Sequence, residues 1–239
     1  MRNYKVEAIV IRKRNFAEKD RILTLFSREK GKIEALAKGS RRPGSRFAPY
    51  SDLGTLAKFY ISRTNSIDII KEISAIFIPE GARGNFARTQ KVSYLLKFTD
   101  NVFEIDEPHP KTYFVLKSAV QLVSERELQL TILSFLANCI DELGLKPELF
   151  ICQKCSKKIL SGEKIVFSSK VGVLHRSCDN EENAQIHENE AKLLRLIFNC
   201  PYEKIVGAKV KHETFKQSYR LLLKFIEWHL GKILPEVAM

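Results

Sequence analysis

Cysteine occurs at positions 139, 152, 155, 178 and 200 of the 239-residue chain. Cys152-Gln-Lys-Cys155 forms one CxxC pair, and His175-Arg-Ser-Cys178 follows after 19 intervening residues. Two such turns, each supplying two ligands, let a chain close a tetrahedron around zinc. The pattern is the two-knuckle spacing with histidine in place of one cysteine, so Cys152, Cys155, His175 and Cys178 are the expected ligands. Four protein ligands leave no open coordination position, which makes such a zinc structural and not catalytic. Two other readings fit the same residues: an accidental spacing with free thiols, or a CxxC dithiol with redox chemistry. The redox reading lacks a strand-to-helix junction near Cys152. Cys139 sits among apolar helix residues and reads as core packing. Cys200, just before Pro201, is assigned no role.

Cations form the second set of chemistry-bearing residues. Lys38, Arg41, Arg42 and Arg46 fall in one Gly- and Pro-bearing stretch that ends on Phe47. Arg12, Lys13, Arg14 and Phe16 follow the first apolar run, and Arg21 opens the second. Lys and Arg so placed could track phosphates, while Phe16, Phe47, Phe59 or Tyr60 could stack on bases. The charge distribution points the same way. The formal net charge is +12, and residues 1–80 hold 17 Lys+Arg against 9 Asp+Glu. Residues 151–180 hold 6 against 2, while the remaining segments are close to balance. Excess positive charge segregated into the first third of the chain indicates a polyanionic partner, nucleic acid above all. The plain alternative is a solvated basic surface, with the aromatics in the core.

No catalytic constellation accompanies these residues. The chain lacks GxxxxGK[ST], GxGxxG and GxSxG. His109 lies between prolines, and His187, His212 and His229 have no acid or nucleophile at a telling spacing. An enzyme is not expected. The most apolar stretch, around Ile132 to Ile140, is too short to span a bilayer. The N-terminal apolar run has no small-residue cleavage site, so a cytoplasmic protein with no membrane partner is expected.

These residues need a scaffold to bring them together. Tyr4–Arg12, Arg21–Ser27, Lys32–Lys38, Leu53–Ser62 and Ile67–Ile73 read as strands from their β-branched content and alternation. Five strands with one long loop suggest a small antiparallel barrel, and a five-stranded sandwich gives a similar pattern. From residue 81 onward the apolar period becomes helical. Phe86, Val92, Leu95, Leu96, Thr99, Val102 and Phe103 form one stripe, and Tyr113–Val123, Leu128–Leu143, 187–199 and 213–231 form further helices. Residues 151–180 read as a cysteine-bearing insert. Glu163–Phe167 and Val171–Leu174 make a hairpin inside it, as in a zinc ribbon. The expected division is a β domain over 1–80 and a helical domain over 81–239 that carries the insert.

The segments Glu7-Ala-Ile-Val-Ile-Arg12, Phe16-Ala-Glu-Lys-Asp20-Arg21 through Phe26-Ser-Arg-Glu-Lys-Gly31, and Ala37-Lys-Gly39-Ser-Arg41-Arg42-Pro43 resemble the N-terminus of the RecO family. That family comprises bacterial recombination mediators. The three segments stand in family order and at family spacing, and the resemblance continues through the helical part and the CxxC insert. It implies an α+β protein, with an N-terminal five-stranded OB-fold barrel followed by an α-helical domain carrying a zinc-ribbon-like insert. It implies binding to single- and double-stranded DNA and annealing of complementary strands. It also implies action with RecR, and in many bacteria RecF, to help RecA load onto DNA coated by single-strand-binding protein (SSB). No nucleotide is hydrolysed in that role. The SSB contact of the family lies on the helical domain.

Residue by residue, the resemblance carries DNA contact onto Arg12, Arg21, Lys38, Arg41 and Arg42, while Lys13, Arg14 and Arg46 join them from charge and loop placement. Asp20 reads as structural, pairing with Arg21 or capping a turn. Gly31 and Gly39 read as turn requirements. Some family members bind zinc through four cysteines and others lack the motif, so His175 is a departure. Two rival classes are an RNA-binding zinc-ribbon protein of ribosome or transcription, and a small hydrolase or nuclease.

Overall fold

Val6, Ala8 and Val10 alternate along the first strand, Leu23 and Leu25 along the second, and Ile33, Ala35 and Ala37 along the third, all buried in one cluster. Successive side chains of a strand point to opposite faces, so this period of two turns one face of each strand inward. The computed structural model describes residues 3–79, 86–121, 125–181 and 183–236. In it, β1 (Asn3–Phe16), β2 (Asp20–Ser27), β3 (Gly31–Ala37), β4 (Leu56–Ser62) and β5 (Asp68–Phe77) close into a barrel of order β1-β2-β3-β5-β4. β3 and β5 pair in parallel at Ala35–Asp68 and Leu36–Ile69, and this closure decides for the barrel over the sandwich.

β1 is longer than its apolar run. Its first half pairs with β4, from Asn3–Ser62 to Ile9–Leu56. Its second half pairs with β2, from Ala8–Ser27 to Phe16–Asp20, with a register shift between Val10 and Arg12. β1 therefore runs past its expected end at Arg12 and takes in Lys13 and Arg14, which corrects the expectation that these two follow the strand. The ladder to β2 keeps the polar half extended although it buries no core face.

By packing, the chain forms two units, Met1–Glu125 and Arg126–Leu234. In the first, α1 (Phe86–Val102) and α2 (Pro110–Gln121) cover the outer face of β1 and β2. Phe26 on β2 stacks on Phe103 at 5.6 Å between centroids and meets Tyr113 at 6.3 Å. Glu7 on β1 accepts hydrogen bonds from Tyr113 Oη (2.9 Å) and Lys117 Nζ (2.6 Å). The Lys117 ammonium, with Tyr113, holds the Glu7 carboxyl below its ordinary value. The buried face of α1 is Tyr94, Leu95, Leu96, Phe98, Thr99 and Val102. Phe86, expected in that stripe, is 74% exposed. The expected boundary at residues 80 and 81, and Val123 at the end of the second expected helix, fall outside the described residues.

Gly31 opens β3 at φ +61, and a Cβ there would stand 1.8 Å from the carbonyl oxygen of Glu107. The turn needs the left-handed conformation, and the chain between α1 and α2 needs the space. Gly31→Ala is expected to cost about 1–3 kcal/mol in backbone strain and about 1–3 kcal/mol more in overlap. Gly44 has φ +70 with nothing within 4 Å of its Cβ position. Gly44→Ala should therefore show only the first cost in a urea melt. Equal losses at the two sites would refute the close-approach argument.

The second unit holds α3 (Glu125–Glu142) apart from its first residue, a three-stranded sheet and α4 (Glu188–Asn199), α5 (Tyr202–Ile205) and α6 (His212–Leu230). The sheet has the order β7-β6-β8, from β6 (Ile165–Ser168), β7 (Gly172–His175) and β8 (Ala184–Ile186). β6 and β7 are the expected hairpin, whereas β8 and α5 are too short to show a period in the sequence. Phe167 of β6 meets Phe225 of α6 edge-on at 6.0 Å, which anchors the sheet to the helix. Cys139 is fully buried in α3, as its apolar neighbours suggest. Among the described residues, no helix is long and apolar enough to cross a membrane.

Candidate nucleic-acid interface and metal centre

The basic loop between β3 and β4 is pinned at both ends. Gly39, at φ +69, donates its backbone N–H to Asp20 Oδ1 at 2.7 Å, so Asp20 caps the turn as expected of a structural acid. Arg41 N donates to Lys19 O at 3.0 Å, and Arg41 Nη1 to Ala17 O at 3.3 Å. These bonds tie the loop to the β1–β2 turn. At its far end the Phe47 ring is buried in the barrel core. Arg46 lies 4.8 Å over that ring and donates to Lys71 O at 3.2 Å. A short 3-10 turn, Ala48–Tyr50, follows, and Ser51 Oγ closes it by donating to Phe47 O at 2.7 Å.

The result is a groove of about 430 Å³ whose lining includes Lys38, Arg42, Arg46 and Lys71 and no carboxylate. Lys38, Arg41, Arg42 and Arg46 are exposed, and Arg21 is half-buried beside them on β2. Among the described residues, no carboxylate pairs with any of these five. Arg12, Lys13 and Arg14 stand differently. Arg12 Nη2 lies 2.8 Å from Glu34 Oε1, and its Nε 3.1 Å from Asp100 Oδ2. Arg14 Nη2 lies 3.5 Å from Glu34 Oε2, and Lys13 pairs with Asp52. These three cations already have anionic partners, which the groove cations lack among the described residues.

Two of the candidate stacking residues are core. Phe59 is fully buried on β4 and Phe47 nearly so, because their strand parity and loop geometry turn both inward. Tyr60 is half-buried and accepts a hydrogen bond from Asn3 Nδ2 at 2.8 Å. Phe16, at the exposed tip of β1, remains on the surface. Lys71 is the groove residue that sequence reasoning missed. It reads as one lysine on a strand, and only the parallel β3–β5 pairing brings β5 beside the loop.

The second site is in the other unit. One donor atom from each of Cys152, Cys155, His175 and Cys178 lies within 4.8 Å of the other three. Sulfurs bound to one zinc at about 2.3 Å stand roughly 3.8 Å apart in a tetrahedron, so the cluster has the size and donor set for one metal ion. Cys152 starts a tight turn in which Ser156 N donates to its carbonyl at 2.8 Å. His175 ends β7, and Cys178 ends the 3-10 turn Arg176–Cys178. Burial alone would raise Cys152, but the backbone N–H groups of His175, Cys155 and Lys154 bring it down to about 6. Burial also lifts the Cys178 thiol, and neighbouring thiols add to the effect. His175 Nδ1 faces Cys155 Sγ at 3.3 Å, while Nε2 faces Glu163 Oε2 at 3.1 Å. Burial opposes the charged imidazole, yet the bonds to Cys155, Cys152 and Glu163 outweigh it and raise His175. Cys200 lies at the C-terminal cap of α4 and takes no part in the cluster.

A five-stranded barrel closed in this order is the OB-fold, so the class is an α+β protein with a basic OB-fold barrel and a helical unit carrying a Cys3His knuckle. Family comparison agrees with that class and narrows it. The family model described as Recombination protein O N terminal matches residues 1–78, and Recombination protein O C terminal matches 83–237. The chain belongs to this family, RecO, whose members serve DNA repair and recombination. It is 31% identical to DNA repair protein RecO of Desulfitobacterium hafniense (strain Y51), over 99% of this chain and 88% of that one. It is 29% identical to the Bacillus cereus (strain B4264) protein of the same name, over 95% of this chain and 92% of that one.

Proposed function

We propose that the protein binds single- and double-stranded DNA through the barrel groove and anneals complementary strands without covalent chemistry. The observation that carries this reading is the groove itself, with Lys38, Arg42, Arg46 and Lys71 in its lining and no carboxylate. Annealing brings two phosphate backbones together, and a fixed set of cations screens that repulsion and raises local strand concentration. Phosphate contacts position the protein without reading bases, so binding should be indifferent to sequence. Arg21 and Arg41 border the same surface. Arg12, Lys13 and Arg14 must exchange a carboxylate for a phosphate and contribute less each.

Family membership supports the wider role: a mediator acting with RecR, and with RecF where present, to help RecA load onto SSB-coated DNA in the cytoplasm. Zinc is the metal we assign to Cys152, Cys155, His175 and Cys178, because three thiolates and one imidazole in a closed set suit it. Its place is structural, holding the 151–180 segment together.

The test is annealing of complementary strands precoated with SSB, without ATP, at two salt concentrations. Salt-sensitive annealing is the expected result. Tight binding to bare strands without annealing would overturn the mediator role, and preference for structured RNA would overturn DNA as the ligand.

A further inference from the structure

Histidine in a closed metal site raises a question that cysteine does not. A thiolate ligand carries its own charge and has no second polar end. A neutral imidazole that ligates through one nitrogen carries a proton on the other, and that proton needs an acceptor. Three thiolates, one imidazole and a divalent ion also leave the cluster one negative charge short of a four-cysteine site.

Glu163 meets both needs. Its Oε2 lies 3.1 Å from His175 Nε2, on the side of the ring away from Cys155, whose sulfur is 3.3 Å from Nδ1. The carboxylate is itself held, because Leu160 N donates to the same Oε2 at 2.7 Å. Gly162, at φ +85, forms the turn that returns Glu163 toward Leu160. The sheet register then sets Glu163 against His175. Ile165, two residues on, pairs with His175 across β6 and β7, and Arg176 N donates to Lys164 O at 2.9 Å. A carboxylate 38% exposed would ordinarily point to water. Here the ladder and the turn aim it at the one imidazole in the cluster.

We propose that Glu163 is a positioning residue of the metal centre: it accepts a hydrogen bond from His175 Nε2–H, presents Nδ1 to the metal and supplies the charge that histidine lacks relative to cysteine. The inference rests on the zinc reading given above and deepens it. In this view the His175 and Glu163 pair together replaces a fourth thiolate.

The test uses the full chain loaded with zinc and a chromophoric chelator in competition. Glu163→Gln keeps the size and removes the charge, whereas Glu163→Ala removes the acceptor as well. Both should surrender zinc about 10–100-fold more readily than the unaltered protein. In a His175→Cys background the same changes should have less than about a threefold effect, since no imidazole proton remains to be held. Long-range proton–nitrogen spectra of His175 give a readout that a merely structural ion pair would not move. The unaltered protein should show Nδ1 bound and Nε2 protonated, and Glu163→Ala should lose that single form. Zinc retention unchanged by either variant, or Nε2 bound in the unaltered protein, would overturn the proposal while leaving the zinc reading intact. An unaltered chain that retains no zinc would overturn both.

Discussion

Replacing Arg41 and Arg42 together by alanine is expected to weaken binding to all DNA sequences by a similar factor and to flatten the dependence on salt. Each phosphate contact contributes about 0.7 to the slope of log K against log salt on single strands and about 0.9 on duplexes. Two lost contacts should lower the slope by about 1.4 and 1.8, with a loss of affinity of roughly 10–30-fold at physiological salt. Both side chains are exposed, and Arg41 loses only a bond to a carbonyl, so the barrel should keep its stability. Arg12→Ala should behave in the opposite way. Its guanidinium sits between Glu34 and Asp100, so its removal breaks the link between them at the junction of barrel and α1, leaving Glu34 to Arg14 and Asp100 to Lys32, and should lower stability more than DNA affinity. Fluorescence anisotropy across a salt series, with thermal melts of the same proteins, reads both. A double variant with unchanged affinity and slope would remove the loop from the interface.

The contrast between these arginines shows what a sequence can and cannot carry. The strands were legible because Val6, Ala8 and Val10 alternate, and the metal ligands because two pairs stand at knuckle spacing. Both signals are local. Barrel closure came from the family resemblance, because the strand pattern alone fits a sandwich as well and closure depends on β3 and β5 pairing over more than 30 residues of chain. The same pairing brings Lys71 to the groove. Local charge likewise gives Arg12 and Arg42 equal weight, and only the fold places Asp100 against one of them. Phe47 looked like a stacking residue because it ends a basic loop, and its burial follows from the 3-10 turn that tucks the loop end into the barrel.

Removal of the metal should have the other large effect, and it should fall on the 151–180 segment. The buried hydrophobic cluster at the knuckle consists of Cys152, Val166 and Leu174, with Cys155, Ile159 and Cys178 partly buried against it. The cluster holds two buried aliphatic side chains and otherwise leans on the ligating thiols themselves, so its packing alone does not order the knuckle turns. Structural zinc contributes an apparent 10–16 kcal/mol in small knuckle peptides, a gain that the packing of this cluster does not supply. Chelation, or Cys178→Ser, is therefore expected to open this segment to limited proteolysis and to lower the melting temperature. Cys200→Ser, altering a thiol outside the cluster, should leave metal content unchanged. The groove lies in the first packing unit, so DNA binding by the stripped protein should persist at low temperature. If proteolysis and melting were the same with and without metal, the sheet would be holding the knuckle by its ladder and its anchor on Phe225 alone, and the metal would have no structural part.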